Sequence, residues 1–457
     1  TLGPSGSTTF DIAFDPAAPA AVVATVTIAN DDADEAPYTF DIAGEGVEGA
    51  HWFVKTDGDD GAVGTSWGTA FATIQHAIDV AGDGDTLFVK YGTYAIASAL
   101  ELVDKDLRMT SDDGTHTRWT DAAYDADQTV VDAGGNSRCL TVSGTGVTDN
   151  AMIRGLTFTN GDGTGEPVSY SFRPGGGGMY ITEGAEVVIA HCTVSSCVGS
   201  DGGSHGGYGG GILVSESGTA PTIRDCTVTD NTAKSSGDRA GYGGGIAVVH
   251  SAQAAIRACR IATNVAVGPG IDRYGHGGGL YFVSSAGTVA DFEIAGNMAV
   301  STTYGGYGGG ICLSGISPVD IVGCDIRDNR IRPTLDPSSG WNIGGGICLK
   351  DDHSGRTIEN CLIRGNHAHG TFGGGGGIGI ANYNETCAIR HNTFAGNVAS
   401  QNGSGIGGDL RQLSGDAVVE NNIFANHTAG DGRALDLLGP TTVSYNCFHN
   451  NSNPNLG

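Results

Sequence analysis

Residues 241–250 read GYGGGIAVVH, three glycines running directly into an apolar segment. The phrase returns as YGGGILV at 208–214, HGGGLYF at 276–282, YGGGICL at 307–313, IGGGICL at 343–349 and GGGGIGI at 374–380, with a looser GGGGMYI at 175–181. Glycine inside a strand weakens it, and it marks close backbone approach or an unusual backbone angle. Recurrence in phase with an apolar run makes it a property of the architecture. Aligned on the residue after the glycines, the copies give Met179, Ile212, Ile246, Leu280, Ile311, Ile347, Ile378 and Ile406, spaced by 33, 34, 34, 31, 36, 31 and 28 residues.

A second phrase follows each first one: CTVTDN at 226–231, CRIATN at 259–264, FEIAGN at 292–297, CDIRDN at 324–329 and CLIRGN at 361–366. It continues as NTFAGN at 392–397, NNIFAN at 421–426 and NCFHNN at 446–451. Its last position is Asn231, Asn264, Asn297, Asn329, Asn366, Asn397, Asn426 and Asn451, preceded in the series by Cys197. Three residues before its first position stand Ile189, Ile223, Ile256, Val289, Ile321, Ile358, Ile389, Val418 and Val443. A self-similar period of about 30 residues, holding short alternating segments, is a stacked repeat array. Coiling one repeat per rung sets equivalent residues of neighbouring rungs about 4.8 Å apart. Isoleucine then stacks on isoleucine, and the asparagines hydrogen-bond along their own ladder. The expectation is an all-β, right-handed parallel β-helix solenoid of about eleven or twelve rungs, with the glycines at a corner where a bare backbone permits close approach.

The totals agree with a packed fold. Glycine contributes 78 of 457 residues, yet 39% of the chain is hydrophobic, too apolar for a disordered low-complexity sequence. The formal net charge of −27 disfavours nucleic acid and anionic membranes as partners. No apolar run reaches membrane-spanning length. Lysine occurs only at 55, 90, 105, 234 and 350, and an acidic, lysine-poor surface fits a secreted or calcium-rich setting.

The paired GGGI and [CF]x[IV]xxN phrases resemble the repeats of polymorphic outer membrane proteins, a surface β-helix family, over roughly 150–451. Upstream, WFVKTDGDDGAVGTSWGTAFATIQHAIDVAGDGDTLFVKYGTYA at 52–95 is similar to the entry segment of secreted right-handed β-helices of the pectate-lyase-like superfamily. Within it Phe71, Ile74, Ala77, Ile78 and Ala81 share one helical face, and Gly82 suits the C′ position. That predicts an N-terminal helix capping the coil. Residues 1–47 read as three alternating strands and resemble the end of an immunoglobulin-like choice-of-anchor D domain. The expected organisation is 1–47 as this partial Ig-like strand segment, 48–84 as entry strand and capping helix, and 85–457 as β-helix, continuing in a longer natural chain.

Candidate chemistry lies in the insertions before the glycine corner. Four residues before the ladder position stand Tyr208, Tyr242, His276 and Tyr307; seven before it stand His205, Arg239, Arg273 and Tyr304. Trp341 lies in the matching loop of the next rung, and Phe172 with Arg173 in an earlier one. Equivalent loops on one side of a solenoid build one surface. A Tyr/Trp/His/Arg stripe suits a glycan groove, aromatic faces covering sugar rings and arginine gripping carboxylate or sulfate. Equally, the tyrosines fill the space that glycines of the neighbouring rung leave.

Two catalytic readings rest on the same stripe. Asp238 and Asp272 stand eight before the ladder residue in adjacent rungs and approach a glycosidase carboxylate pair, although each precedes an arginine and reads more economically as a surface pair. Alternatively Tyr242 or His276 is the base of a polysaccharide lyase, with Arg239 and Arg273 neutralising a uronate. The turn DGDDG offers Asp57, Asp59 and Asp60 to calcium, or forms a plain aspartate turn. Of eleven cysteines, Cys192, Cys226, Cys259, Cys324 and Cys361 share one slot with Phe292, which reads as a reduced apolar stack. Cys312 and Cys348, on the alternate face of adjacent rungs, are placed to pair or to hold a metal. The expected function is a non-catalytic, secreted or cell-surface bacterial module, a stalk or adhesin for glycans or a protein partner. A polysaccharide lyase or glycosidase is the alternative, and a filament subunit associating head to tail is the third reading.

Overall fold

The computed structural model describes residues 21–28, 38–45, 49–164, 175–200, 206–235, 239–268, 274–301, 305–333, 341–350, 356–369, 372–381, 386–400, 407–412, 416–426, 433–437 and 441–451. The chain divides into two units, Thr1–Ala50 and His51–Gly457. In the first, Ala21–Ile28 and Tyr38–Glu45 form an antiparallel pair with Val26 opposite Phe40. The segment expected to supply a further strand, at 1–16, lies outside the described residues.

One period shows how the second unit is built. Ile212–Ser215, Thr222–Arg224, Thr227–Thr229, Thr232–Lys234 and Gly241–Tyr242 follow in turn, and Ile246–Val249 begins the next coil. Each strand pairs in parallel with its equivalent one coil on: Ile212 with Ile246, Ile223 with Ile256, Val228 with Ile261, Ala233 with Ala266. The stacks make sheets of 13, 12 and 11 strands, joined by narrower sheets of seven and six. The result is an all-β parallel solenoid with almost no helix. Its inward side chains, Ile189, Val194, Ile212, Val228, Phe282 and Phe394 among them, fuse into one buried core.

Polar groups are satisfied along the stack. The Asn264 carboxamide oxygen accepts both the backbone N–H and the side-chain N–H of Asn231 at 3.0 Å, and Asn231 also donates to the Val194 carbonyl at 2.9 Å. The pattern repeats through Asn297, Asn329, Asn366 and Asn397. The slot read as purely apolar is more versatile. Cys192 donates its N–H to Cys226 Sγ at 3.5 Å, while asparagine takes the same place at 392, 422 and 446, and the Cys361 N–H donates to Asn392 Oδ1 at 2.9 Å. The described cysteines are free thiols.

The glycine corner is a backbone-to-backbone contact. Gly243 lies in the left-handed region at φ +64, and a Cβ on Gly244 would sit 2.3 Å from the Gly278 oxygen and 2.5 Å from the Val265 backbone. Successive triplets then hydrogen-bond directly: Gly209 N–H donates to the Tyr242 carbonyl at 2.9 Å and Gly210 N–H to that of Gly243 at 3.0 Å.

Three expected ladder positions in the later coils are displaced. Ile378 pairs with Leu410; Ile406 lies outside the described residues. Ile389 pairs with Val419, which is fully buried, while Val418 is half-buried on the opposite face. Asn426 occupies the left-handed corner at φ 57, as Asp230 does at φ 58, so the ladder position falls one residue later, outside the described residues. The doubled asparagine of NNIFAN offers two alignments, and side-chain alternation makes a one-residue slip exchange the two faces.

The one α-helix among the described residues, α1 (Ile74–Val80), follows Phe71 and buries Ile74, Ala77 and Ile78 in the solenoid core. Thr73 is its N-cap, accepting the His76 N–H at 3.3 Å. Lys105 Nζ donates to the Ile78 and Ala81 carbonyls at 2.9 Å, satisfying acceptors that the helix end leaves over. Gly82 is not left-handed as expected of a C′ glycine. Its N–H donates to Asp85 Oδ2 at 2.8 Å, and the left-handed residue is Gly84 at φ +79.

Candidate functional site

From Met179–Thr182 to Ile347–Lys350, the central strands of the eleven-stranded sheet are apolar on both faces. Ile212 and Val214 point inward, while Tyr180, Leu213, Ala247, Tyr281, Cys312 and Cys348 form the opposite row, each 5% exposed or less. A strand buried on both faces needs a second layer. The six-stranded sheet supplies it, with Tyr208, Tyr242, His276, Tyr307 and Ile343 in register. Together the two rows close a second apolar cluster outside the main core.

The four rings that the spacing singled out therefore meet as a ladder. Ring centroids are 4.4 Å apart for Tyr208–Tyr242, 4.9 Å for Tyr242–His276 and 5.0 Å for His276–Tyr307, all near-parallel. Tyr281 packs beneath at 5.0 Å from Tyr242. Tyr208 and His276 are buried, at 5% and 8% exposure, whereas Tyr242 and Tyr307 are half-buried. In such a ladder an inner ring gives both faces to its neighbours, so edges and polar atoms are what it can offer outward. Burial, with Lys350 nearby, pushes His276 down to about 3, and burial raises the Tyr281 phenol. Cys312 Sγ lies 4.0 Å from His276 Nδ1. Cys312 and Cys348 sit side by side as buried thiols not joined by a disulfide.

Arg239 is exposed at the edge of this layer. Trp341 begins the strand Trp341–Ile343, paired with Gly305 on one side and Phe372 on the other. His205, Asp238, Asp272, Arg273, Tyr304, Phe172 and Arg173 lie outside the described residues, and with them the expected Asp–Arg pairs. Sequence reasoning missed Tyr180, Tyr281 and Tyr274, whose ring lies 5.1 Å from Tyr307, and Lys350, whose Nζ lies 5.3 Å from the same ring. The signal was present: the residue after each ladder position is apolar in nearly every copy, which a one-faced strand does not require.

The DGDDG turn is occupied by its own hydrogen bonds. Asp60 accepts the N–H groups of Ala72 and Thr73 at 2.8 and 3.0 Å and the Thr73 hydroxyl at 2.8 Å, which holds it below the ordinary carboxylate range against the opposing effect of burial. Asp59 accepts the Gly61 N–H at 2.9 Å, and Asp57 is exposed beside Lys55. Asp57, Asp59 and Asp60 are not among the described trios whose ligand atoms lie within 4.8 Å of one another. Among the described residues, the one trio close enough is Asp112, Asp113 and His116. Asp112 there accepts the N–H groups of Gly114 and Thr115 and the His116 ring N–H, which organises the loop.

A family model described as the right handed beta helix region matches residues 129–297. With the parallel coil, it makes the solenoid a right-handed parallel β-helix. No curated protein matches the chain. Among solved structures, the complex of XylC with xylose is 10% identical over 89% of this chain and 87% of its own, with a TM-score of 0.35. A rhamnogalacturonan lyase is 12% identical over 87% of each chain, with a TM-score of 0.30. Scores of that size do not bear on what this chain binds.

Proposed function

We propose that this β-helix is a non-catalytic module of a secreted or cell-surface bacterial protein, a stalk that binds glycan along the loop side of its aromatic ladder. The observation that carries the reading is the burial of His276, the described side chain of the ladder best suited to act as acid or base. General acid–base catalysis requires a side chain within reach of the substrate proton. His276 is sealed between Tyr242, Tyr307 and Tyr281, and Tyr242 is held between Tyr208 and His276. What faces outward suits binding: the half-buried edges of Tyr242, Tyr274 and Tyr307, and the exposed guanidinium of Arg239. Aromatic edges with phenol groups and arginine are common partners of polar, ring-shaped ligands. In the same reading α1 closes the start of the coil, and the antiparallel pair Ala21–Ile28 and Tyr38–Glu45 belongs to an Ig-like segment.

Turnover tests this directly. Sulfated, uronate and neutral polysaccharides are incubated with the protein and calcium while chain length and the ultraviolet absorbance of unsaturated ends are followed. The expected result is unchanged chain length throughout, with at least one glycan retained on immobilised protein. Shortened chains overturn the proposal: unsaturated ends indicate a lyase, and their absence a hydrolase.

A further inference from the structure

Most buried thiols of the solenoid meet backbone carbonyls, and one meets an imidazole. Cys226 Sγ lies 3.1 Å from the Arg224 carbonyl oxygen and Cys361 Sγ 3.2 Å from that of Glu359, so these thiols spend their protons on the backbone around the main core. Cys312 sits instead in the layer between the eleven- and six-stranded sheets, and its Sγ stands 4.0 Å from His276 Nδ1. Both groups are held in place. The His276 ring is stacked between Tyr242 and Tyr307 with Tyr281 edge-on, and Cys312 is fully buried in register between Tyr281 and Cys348.

The gap has the length of two metal bonds. Zinc, a d10 ion, binds thiolate at about 2.3 Å and imidazole at about 2.0 Å, so two such ligands on nearly opposite sides of a d10 ion stand about 4 Å apart. An ion on that line needs no hollow beyond the gap itself. Burial, with the Lys350 charge, pushes the imidazole down to about 3, which keeps it neutral and its Nδ1 lone pair available at ordinary pH.

Charge and ligand count select the ion. A monovalent cation that replaces the thiol proton leaves the buried charge as it was. A divalent one adds a positive charge to an apolar layer, where Lys350 Nζ already lies 5.3 Å from the Tyr307 ring centre. Among the described residues no third His, Cys or carboxylate donor completes a trio here within 4.8 Å. That disfavours zinc, which takes four ligands in structural sites, and soft thiolate favours cuprous copper.

We propose that Cys312 Sγ and His276 Nδ1 hold one cuprous ion between them, inside the apolar layer beneath the aromatic rim. On binding, the S–H bond breaks and its proton leaves to solvent, an S–Cu bond forms, and Nδ1 gives its lone pair to the metal. Copper stays in the +1 state throughout, so no oxidant or reductant is consumed. The site uses the inner row of the ladder and stands whether or not the rim binds glycan.

The test equilibrates the whole chain, reduced and anaerobic, with cuprous ion held by a competing chelator. One copper per chain is retained, and X-ray absorption at the copper edge shows one sulfur and one nitrogen neighbour. Cys312→Ala weakens retention by about tenfold or more, whereas Cys348→Ala keeps it. The same row already holds Ala247, so Cys312→Ala is expected to fold, which circular dichroism checks; the absorption spectrum decides the ligands without any variant. Zinc added in excess does not displace the copper. No copper retained, equal retention by Cys312→Ala, a spectrum with sulfur neighbours only, or displacement by zinc would each overturn the assignment.

Discussion

Asn264 and Asn297 are 33 residues apart in sequence and 3.0 Å apart between Nδ2 and Oδ1. Each ladder asparagine accepts from the coil before it and donates to a core-facing carbonyl, as Asn297 does to Ile261 at 2.8 Å. Asn297→Ala strips partners from buried groups on both sides and is expected to cost about 2–4 kcal/mol, read as a lowered thermal midpoint. Asn446→Ala, in a part-buried terminal position, should cost about 1 kcal/mol. His276 gives a pH signature. Its folded value of about 3 lies below the ordinary histidine value of about 6.5. The unfolded chain therefore binds a proton through that window while the folded chain does not. Stability from this residue is complete above about 6.5 and falls as the pH drops toward 3. His367 is displaced in the same direction by burial. Replacing His276 with phenylalanine should flatten the fall in melting temperature between pH 7 and pH 4; a slope identical to wild type would refute the burial argument.

At the scale of elements, the glycine triplet and α1 are where local sequence and packing meet. Gly244→Ala puts a methyl group against the Gly278 oxygen and should prevent native folding, seen as loss of a cooperative melt. Gly396→Ala, at φ +59 with nothing within 4 Å of its added Cβ, should cost about 1 kcal/mol from backbone strain alone. Equal effects of the two would show that crowding between rungs is not what selects glycine. Lys105→Met removes donors from the end of α1 and should lower the melting temperature slightly, leaving the coil intact by circular dichroism. The repeat made the strands, their order and the asparagine ladder legible, because a period-2 pattern recurring every thirty-odd residues admits few folds. It did not make Lys105 legible, since that contact joins α1 to a residue 27 positions from Ile78. The slips at Ile406, Val418 and Asn426 come from the later coils, where loop lengths vary and the doubled asparagine at 421–422 supports two registers.

Over the whole molecule, the solenoid buries two apolar layers, one inside the coil and one between the eleven- and six-stranded sheets. Spacing singled out Tyr208, Tyr242, His276 and Tyr307, whose rings stack, but spacing alone does not say which part of a ring faces outward. That depended on Tyr281 and the cysteine pair beneath, residues that a ladder count passes over. Because Asp60 spends its carboxylate on the start of α1, a chelator is expected to leave the melting temperature unchanged; a fall on adding it would reveal a metal elsewhere. The central claim is that this ladder has a structural inner row and a ligand-facing rim. Retention of the polysaccharide panel and the melting temperature, measured together for Tyr208→Ala and Tyr307→Ala, test it most directly. The account predicts a marked loss of melting temperature for Tyr208→Ala, and loss of glycan retention with a nearly unchanged melt for Tyr307→Ala. Retention untouched by Tyr307→Ala, or a Tyr208→Ala protein as stable as wild type, would contradict it.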